Sequence, residues 1–219
     1  MVKDLDRHIS EQLLEEYLLA HIEPEPETLQ RLSRDAHIRL KHPRMISGHL
    51  QGRLLKMLVA LVRPRGVLEI GTYTAYATVC LAESLLPTAR ITTVEINDEL
   101  EDYIRQALAL AGCAEKVDLK IGDALDVIPL LDLSCTDMVY LDADKRLYIE
   151  YFKLIQDKLP PGALVLADNT LWNGKVVDPN ANDPQTKGVR TFNDYIATLK
   201  GWQQVILPIR DGLTLIRKA

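Results

Sequence analysis

Acidic residues follow two apolar runs of the sequence at the point where each run ends. Asp142 closes the run 138–142, while Asp168 closes the run 163–168 and is followed by Asn169. If the two runs are neighbouring parallel strands, their ends lie about 4.8 Å apart and the two carboxylates emerge side by side. Two carboxylates at this distance repel each other unless a cation lies between them. Asp142, Asp168 and a carbonyl oxygen of Asn169 therefore predict an open, catalytic site for Mg²⁺, with Ca²⁺ or Mn²⁺ as alternatives.

Lys145 is the candidate general base beside this predicted metal site, because it lies three residues after Asp142. All five histidines lie at or before His49, and no G-x-S-x-G motif of a serine hydrolase occurs. Residues 50–219 therefore offer no histidine base, and a lysine amine is the remaining group that could accept a proton there. The alternatives to a catalytic site are purely structural: Asp142 could cap the following helix, Asp168 and Asn169 could form a turn, and Lys145 could be an ordinary surface lysine.

A second set of polar residues surrounds the first of the short apolar runs. Glu69 lies within this run, Gly71 follows it, and Glu95 ends the next run, 24 residues after Gly71. Glu95 is placed to accept hydrogen bonds from ribose hydroxyls, and Glu69 suits a ligand that carries an ammonium group. Tyr73 and Tyr76 occupy two glycine positions of the dinucleotide motif G-x-G-x-x-G, which argues against NAD or FAD. A ligand with a ribose and an ammonium group but no pyrophosphate fits S-adenosylmethionine. The alternative is that these residues bind no ligand and form a structural turn that Glu69 caps.

Short apolar runs that alternate with amphipathic segments must position all of these residues. The runs cover residues 67–70, 91–95, 117–121, 138–142 and 163–168, and helical patterns cover 76–86, 98–111, 124–131, 148–159 and 188–200. Continuous apolar strands separated by helices are typical of a parallel sheet that helices cover on both faces. Residues 203–209 and 213–217 are joined by Arg210-Asp211-Gly212, which predicts a hairpin and a reversed last strand. The expected fold is α/β: a Rossmann-like, doubly wound sheet of seven strands with the last strand antiparallel.

The N-terminal third of the sequence predicts helices over residues 10–21, 26–41 and 47–62. We call residues 1–65 the helical collar and residues 66–219 the sheet core, and we expect one domain over 1–219, since no linker or repeat separates them. Residues 31–65 carry nine basic residues and one acid, a charge of +8 within a chain whose net charge is −5. This basic stretch could meet a polyanion; the favoured alternative is a solvated face or a surface for an acidic face of a second subunit.

The composition is that of a soluble globular protein, with 47% hydrophobic and 26% charged residues among 219. No apolar stretch approaches the roughly 20 residues that span a bilayer, and the first ten residues lack the apolar core of a signal peptide. Cys80, Cys113 and Cys135 have no C-x-x-C spacing, which argues against a disulfide framework or a zinc site. We therefore expect a cytoplasmic protein with no membrane partner.

Three strings of the sequence resemble the cation-dependent O-methyltransferases, the family of the caffeoyl-CoA and catechol O-methyltransferases. They are Glu-Ile-Gly at 69–71, Leu-Asp-Ala-Asp-Lys at 141–145 and Asp-Asn-Thr-Leu-Trp-Asn-Gly at 168–174, and the similarity runs from 23–26 to 212–214. The resemblance implies a class I methyltransferase fold and transfer of a methyl group from S-adenosylmethionine to a hydroxyl of a small catechol-type phenol, with a divalent cation bound. The implied metal ligands are Asp142, Asp168 and Asn169, and the implied base is Lys145. The implied cosubstrate contacts are Ser47, Glu69, Gly71, Thr72, Glu95, Ala124 and Asp144, and the implied acceptor contacts are Trp172 and Asn173.

The resemblance also implies a homodimer, for which the basic stretch would be a partner surface. Two positions depart from the family pattern: Ala75 stands where a glycine is frequent, and Ala77 stands where many members have a serine that meets the cosubstrate.

Residues 174–187 are expected to form a long connection that acts as a lid or acceptor loop. Three alternative functions stay open: a tRNA 5-hydroxyuridine O-methyltransferase, an NAD-dependent oxidoreductase and a nucleotide-binding module without catalysis.

Overall fold

The structure, a computed structural model, describes residues 12–219. The described part of the collar contains three helices: α1 over residues 12–20, α2 over Glu27–Arg39 and α3 over Gly48–Val62. The first predicted helix begins at residue 10, and its first two residues lie outside the described part. α2 ends at Arg39, before Pro43, which begins a short 3-10 turn instead of continuing the helix.

Seven strands of the described chain form one mixed sheet. β1 is Gly66–Ile70, β2 Arg90–Glu95, β3 Val117–Ile121, β4 Met138–Leu141, β5 Leu164–Asp168, β6 Trp202–Leu207 and β7 Leu213–Lys218. Their order across the sheet is β3-β2-β1-β4-β5-β7-β6, with β1 to β5 parallel and β7 antiparallel to both of its neighbours. The predicted fold is confirmed. The chain order reverses beside β1, which is where open α/β sheets bind their ligands.

Five further helices lie around this sheet: α4 Tyr76–Glu83, α5 Glu101–Leu110, α6 Ala124–Val127, α7 Tyr148–Gln156 and α8 Pro184–Thr198. α8 begins four residues before its predicted start, because Asp183 caps it and accepts a hydrogen bond from the Thr186 N–H at 3.0 Å. The connection predicted over 174–187 is therefore shorter, and Trp172–Val177 forms 3-10 turns. None of the helices in residues 12–219 is both long enough and apolar enough to cross a membrane.

Two apolar layers hold the sheet between the helices. On one face, Leu55 of α3 belongs to a buried cluster with Ile91 of β2 and Tyr140 of β4. On the other face, Phe152 of α7 clusters with Val139 of β4. Neighbouring residues of β4 thus face opposite layers, as expected of a strand that is covered on both sides. Helices α2 and α3 of the collar share the first layer with the sheet, so they are placed to contact side chains near the carboxyl ends of the strands.

Part of the collar's basic charge is paired with acids of the same chain. Arg53 is buried and its guanidinium lies 2.6 Å from a carboxylate oxygen of Glu83. Arg65 pairs with Asp137 at 2.7 Å. The exposed bases of the stretch include Arg34, Arg39, Lys41, Arg44 and Arg63. The charge that a partner could meet is therefore smaller than the +8 of the sequence.

Candidate active site

The carboxyl edge of the sheet gathers most of the residues that the sequence analysis singled out. Gly71 and Thr72 follow β1, Glu95 ends β2, Ala124 begins α6 after β3, Asp142 and Asp144 follow β4, and Asp168 and Asn169 lie at the end of β5. Ser47 is the N-cap of α3, and its hydroxyl lies 3.2 Å from that of Tyr140 on β4. Glu69, by contrast, lies within β1 and is fully buried.

Asp142 and Asp168 extend two neighbouring strands. Leu141 pairs with Ala167 in the parallel ladder of β4 and β5, so each acid comes one residue after a paired position. Burial, together with the charge of Asp142, raises the pKa of Asp168 to about 6. Repulsion between neighbouring acids favours a cation between them, and these oxygens with that of Asn169 are donors that suit Mg²⁺. Within residues 12–219, no three or more His, Cys, Asp or Glu side chains are arranged so that they alone could hold a metal ion, so a cation here would depend on two carboxylates and an amide oxygen.

Lys145 lies against this acidic pair and is held from two sides. Its side chain is buried, and its Nζ donates to Asp142 Oδ1 at 2.7 Å and to the Tyr148 hydroxyl at 2.6 Å. The Tyr148 hydroxyl in turn donates to the backbone carbonyl of Asp168 at 2.9 Å. Burial, with the charge of Asp142 adding to it, keeps the pKa of Tyr148 well above its usual value, so Tyr148 stays a neutral donor. The amine therefore has a fixed position beside the two acids, as a general base requires.

Three buried polar residues of this region escaped the sequence analysis. Tyr148 supports Lys145, while Gln51 Nε2 and the Tyr140 hydroxyl both donate to Asp168 Oδ2, at 2.6 and 2.8 Å. The sequence contained one signal for them, their spacing from residues that the analysis had already singled out. Tyr148 comes three residues after Lys145, and Gln51 comes four after Ser47 on one helix face. Tyr140 comes two before Asp142 on one strand face. The same spacing is also typical of ordinary core residues, so it does not identify a site without the fold.

Glu69 has a carboxylate that is only half satisfied. Its Oε2 accepts hydrogen bonds from the hydroxyls of Thr78 and Thr93, while its Oε1 has no hydrogen-bond partner within the described residues. Because Thr93 donates to Glu69, the hydroxyl of Thr72 must donate to Thr93, at 2.6 Å. Burial raises the pKa of Glu69 to about 8. A buried carboxylate with one unpartnered oxygen fits a ligand that brings an ammonium group.

Glu95 and Asp144 are oriented by backbone N–H groups. Glu95 accepts from the Tyr73 N–H at 2.7 Å on one oxygen and from the Asn97 N–H at 2.9 Å on the other, and lone pairs remain for a ribose diol. Asp144 accepts from the Arg146 N–H at 3.0 Å and pairs with the Arg146 guanidinium, which holds the pKa of Asp144 below its usual value. Arg146 thus engages the charge of Asp144 in this structure.

Gly71 is required by the path of the chain itself. Its φ is +98°, and a Cβ here would lie 2.1 Å from the carbonyl oxygen of Asp142. The turn after β1 therefore crosses the residues after β4 in direct backbone contact, which joins the predicted cosubstrate and metal regions. Ala75 is also left-handed, with φ +62°, and its side chain is fully buried. A side chain in that conformation costs roughly 1–2 kcal/mol, a cost that a glycine at this position would avoid.

A cavity of about 720 Å³ opens in the segment that follows β5. Its lining residues are Leu171, Asn173, Gly174, Val176, Val177, Arg210 and Asp211. The Asn173 N–H donates to the Asp211 carboxylate and so joins the two segments that form the wall. The predicted acceptor residue Asn173 lines this cavity, whereas Trp172 does not; the Trp172 ring N–H is buried without a partner in the described chain. The volume suits a small organic molecule.

Trp172 and Asn173 both have left-handed backbones, with φ of +46° and +51°. Asn169 shares this conformation, with φ +57°. Non-glycine residues in this region store strain, and such residues concentrate at binding and catalytic segments. The sequence analysis did not predict Arg210 or Asp211 as lining residues, since only the folded hairpin brings them beside residues 171–177.

Comparison with known proteins agrees with this geometry. A family model described as O-methyltransferase matches residues 20–219. Caffeoyl-CoA O-methyltransferase 2 of Eucalyptus globulus is 36% identical over 211 residues, which cover 89% of this chain and 83% of that protein. Catechol O-methyltransferase of Niastella koreensis is 34% identical over 173 residues, which cover 75% of this chain and 78% of that protein.

Two solved structures have the same fold over nearly the whole chain. The O-methyltransferase TomG of Streptomyces achromogenes, in complex with S-adenosylmethionine, aligns with a TM-score of 0.86 and 31% identity, covering 94% of this chain and 96% of its own. An O-methyltransferase from Bacillus cereus, in complex with S-adenosylhomocysteine, aligns with a TM-score of 0.86 and 26% identity, covering 94% and 97%. These matches exclude the oxidoreductase alternative. The chain therefore belongs to the O-methyltransferase family, a family of S-adenosylmethionine-dependent enzymes.

Proposed function

We propose that this enzyme methylates one hydroxyl of a small catechol-type phenol and needs a divalent cation, Mg²⁺ before Ca²⁺ or Mn²⁺. The observation that carries the proposal is the group formed by Asp142, Asp168 and Lys145 at the ends of β4 and β5. Two neighbouring acids with a lysine amine on one of them combine a cation site with a proton acceptor. The relatives named for caffeoyl-CoA and catechol support this acceptor class, because both of those molecules carry vicinal hydroxyls.

The proposed mechanism assigns the proton transfer to Lys145. A bound cation would neutralise the two carboxylates and lower the pKa of an acceptor hydroxyl beside it. Lys145, as the neutral amine, accepts the hydroxyl proton at Nζ, while Asp142 and Tyr148 fix the position of that nitrogen. The acceptor oxygen then forms a bond to the donor methyl carbon, the bond between that carbon and sulfur breaks, and its electron pair stays on sulfur. The chain contributes position and charge more than covalent chemistry.

We assign the methyl donor to the carboxyl ends of β1 and β2. Glu95 is proposed to bind the ribose hydroxyls, and the unpartnered Oε1 of Glu69 the ammonium group. The remaining proposed donor contacts are Ser47, Gly71, Thr72, Ala124 and Asp144. Asp144 would have to share its carboxylate between the donor and Arg146. The acceptor is proposed to enter the cavity lined by Asn173, with Trp172 adjacent to it in the chain.

Affinity for S-adenosylhomocysteine, the product that keeps both the ribose and the ammonium group, should increase as the pH rises towards 8. The pKa of Glu69 is raised from 4.5 to about 8 in the folded protein. The contribution of neutral Glu69 to the free energy of unfolding of the ligand-free protein is therefore fully present below pH 4.5 and is lost as the pH rises through 8. A ligand ammonium favours the ionised carboxylate, so binding at neutral pH releases the proton, and Kd falls by up to about tenfold per pH unit below that pKa. Calorimetric titrations in buffers of different ionisation enthalpy measure both the affinity and the released proton.

Glu69→Gln is the matched variant for this titration, because an amide oxygen can still accept from Thr78 and Thr93. It should bind more weakly and without the pH dependence. A wild-type affinity that is flat from about pH 6.5 to 8.5, with no proton released, would remove Glu69 from the donor site.

The tRNA enzyme is the second candidate, and the exposed bases of the collar are the observation that favours it. A methyl-transfer assay on a panel of catechols and on bulk tRNA, at about 50 and 200 mM salt, separates the two. A catechol enzyme should methylate the phenols with nearly the same KM at both salt concentrations. A tRNA enzyme with several phosphate contacts should lose affinity by orders of magnitude over this range. Methylation of tRNA alone, with that steep salt dependence, would overturn the small-phenol proposal.

We further propose a homodimer in a reducing, cytoplasmic environment. All three cysteines are free, and Cys80 and Cys113 are buried, which suits a compartment where disulfides do not form. Met57 and Leu61 of α3 expose large apolar side chains, at 61% and 73%. These side chains lie on the collar, where the exposed bases could meet an acidic surface of a second copy. Sedimentation equilibrium at low and high salt tests the dimer and the share of charge in it.

A further inference from the structure

A buried polar network connects the collar to Asp168. It consists of Ser47, which is the N-cap of α3, Gln51 of α3, Tyr140 of β4 and Asp168 of β5, all at most 5% exposed. Gln51 Nε2 lies 2.6 Å from Asp168 Oδ2 and 2.9 Å from the Tyr140 hydroxyl. The Tyr140 hydroxyl lies 2.8 Å from Asp168 Oδ2 and 3.2 Å from the Ser47 hydroxyl. The network therefore binds a side chain at the end of β5 to a helix that precedes the whole sheet.

The hydrogen bonds of this network have one consistent set of directions. The carboxylate accepts only, so the Tyr140 hydroxyl donates its single proton to Asp168. Tyr140 then accepts from Ser47 and from one N–H of Gln51, whose second N–H goes to Asp168. Every donor proton of Gln51 and Tyr140 is thereby used. Such a closed set holds its members in one arrangement.

The network occupies one oxygen of Asp168 and leaves part of the other available. Oδ2 receives two hydrogen bonds, one for each of its lone pairs. Oδ1 accepts only from the Asn169 N–H, at 2.7 Å. The terminal torsion of an Asp side chain has broad minima, so without anchors the carboxylate could rotate. With Oδ2 anchored, the remaining lone pair of Oδ1 is the one that can face a cation.

Packing alone does not explain the polar atoms of the network. Gln51 and Tyr140 lie on the collar side of the sheet, where the surrounding cluster is apolar. A methionine and a phenylalanine would fill nearly the same volumes, but they would leave the buried Oδ2 of Asp168 without either of its donors, which costs free energy. Both polar groups point instead at the acid proposed as a metal ligand, and such supporting hydrogen bonds orient metal-binding carboxylates.

We propose that Gln51 and Tyr140 are positioning residues that hold Asp168 Oδ2, so that Asp168 binds the divalent cation through Oδ1 with a single, fixed orientation. This proposal rests on the cation-dependent function proposed above. The collar then takes part in metal affinity although none of its side chains is a proposed metal ligand. Removal of either donor leaves the cation site open to a rotating carboxylate and to a competing water molecule.

The test is the affinity for Mn²⁺ alone, measured by electron paramagnetic resonance of the free ion over the full-length protein. Tyr140→Phe and Gln51→Met should each weaken Mn²⁺ binding by about 10- to 100-fold. Tyr195→Phe is the matched control, because it also removes a hydroxyl, which donates to Gln156 Oε1 at 3.1 Å and packs against the opposite apolar layer. It should bind Mn²⁺ with wild-type affinity. Asp168→Ala should show no Mn²⁺ binding at this site.

The outcomes distinguish a failure of the positioning role from a failure of the cation-dependent function on which it rests. If the wild type binds Mn²⁺ and Tyr140→Phe and Gln51→Met bind it equally well, the positioning role is overturned while the cation-dependent function stands. If those variants lower only the urea midpoint of the metal-free protein, the network merely attaches α3 to the sheet, and the proposal is again overturned. If wild type and Asp168→Ala do not differ in Mn²⁺ binding, the proposed cation site is contradicted, and the positioning role is contradicted with it. A thermal shift with S-adenosylhomocysteine verifies that each variant is folded.

Discussion

Replacing Lys145 with methionine is expected to lower kcat by about 10²- to 10⁴-fold, the range that a positioned general base contributes. The methionine fills a similar volume in this buried position but cannot accept the proton of the acceptor hydroxyl. Binding of S-adenosylhomocysteine should stay close to the wild-type affinity, because Glu69 and Glu95 are unchanged. Single-turnover kinetics with saturating donor and acceptor measure the chemical step directly, so product release does not hide the effect.

Lys145→Arg provides the matched control for this substitution. A guanidinium keeps the positive charge beside Asp142, but it does not lose its proton in proteins, so it cannot act as a base. The arginine variant should therefore be about as slow as the methionine variant. Near-wild-type rates in Lys145→Arg would show that the charge and not the proton transfer matters. A loss of less than tenfold in Lys145→Met would contradict the proposed role of Lys145 as the base.

The sequence was sufficient to predict the residues that come at the ends of strands. Asp142 and Asp168 each end an apolar run, and parallel strands bring their carboxyl ends to one edge, so their place on the same edge follows from pattern and sheet geometry. Their proximity also needs β4 beside β5, which is a finding of the structure. The same argument gives Glu95 at the end of β2. These residues depend on short-range periodicity and one general rule about parallel sheets, both of which are visible before the fold is known.

Contacts between distant segments could not be predicted in this way. Gln51 and Asp168 are 117 residues apart, and their hydrogen bond depends on how α3 lies across the sheet. Likewise the hairpin signal at Asp211-Gly212 predicts a reversed strand but does not say that β7 pairs with β5, since either hairpin strand could pair with it. The early start of α8 is different, because Asp183 and Pro184 are an N-cap signal that was present in the sequence and was missed.

Removal of the divalent cation is the other change with a large expected effect. Asp142 and Asp168 are neighbouring acids, and burial with the charge of Asp142 raises the pKa of Asp168, so a cation between the two acids would relieve their repulsion. A bound cation supplies several kcal/mol of charge stabilisation in reactions of this kind, which corresponds to a rate change of at least about 10²- to 10³-fold. The donor site around Glu69 and Glu95 contains no proposed metal ligand, so its affinity should change little.

The measurement that tests the account most directly is the rate of methyl transfer to a catechol before chelation, after EDTA treatment, and after Mg²⁺ is restored. The account predicts a fall of at least about 10²-fold after chelation, recovery on addition of Mg²⁺, and no recovery in Asp168→Ala. Binding of S-adenosylhomocysteine, measured in parallel, should persist throughout and show that the protein stays folded. A catechol methylation rate that EDTA leaves unchanged would contradict the cation-dependent mechanism.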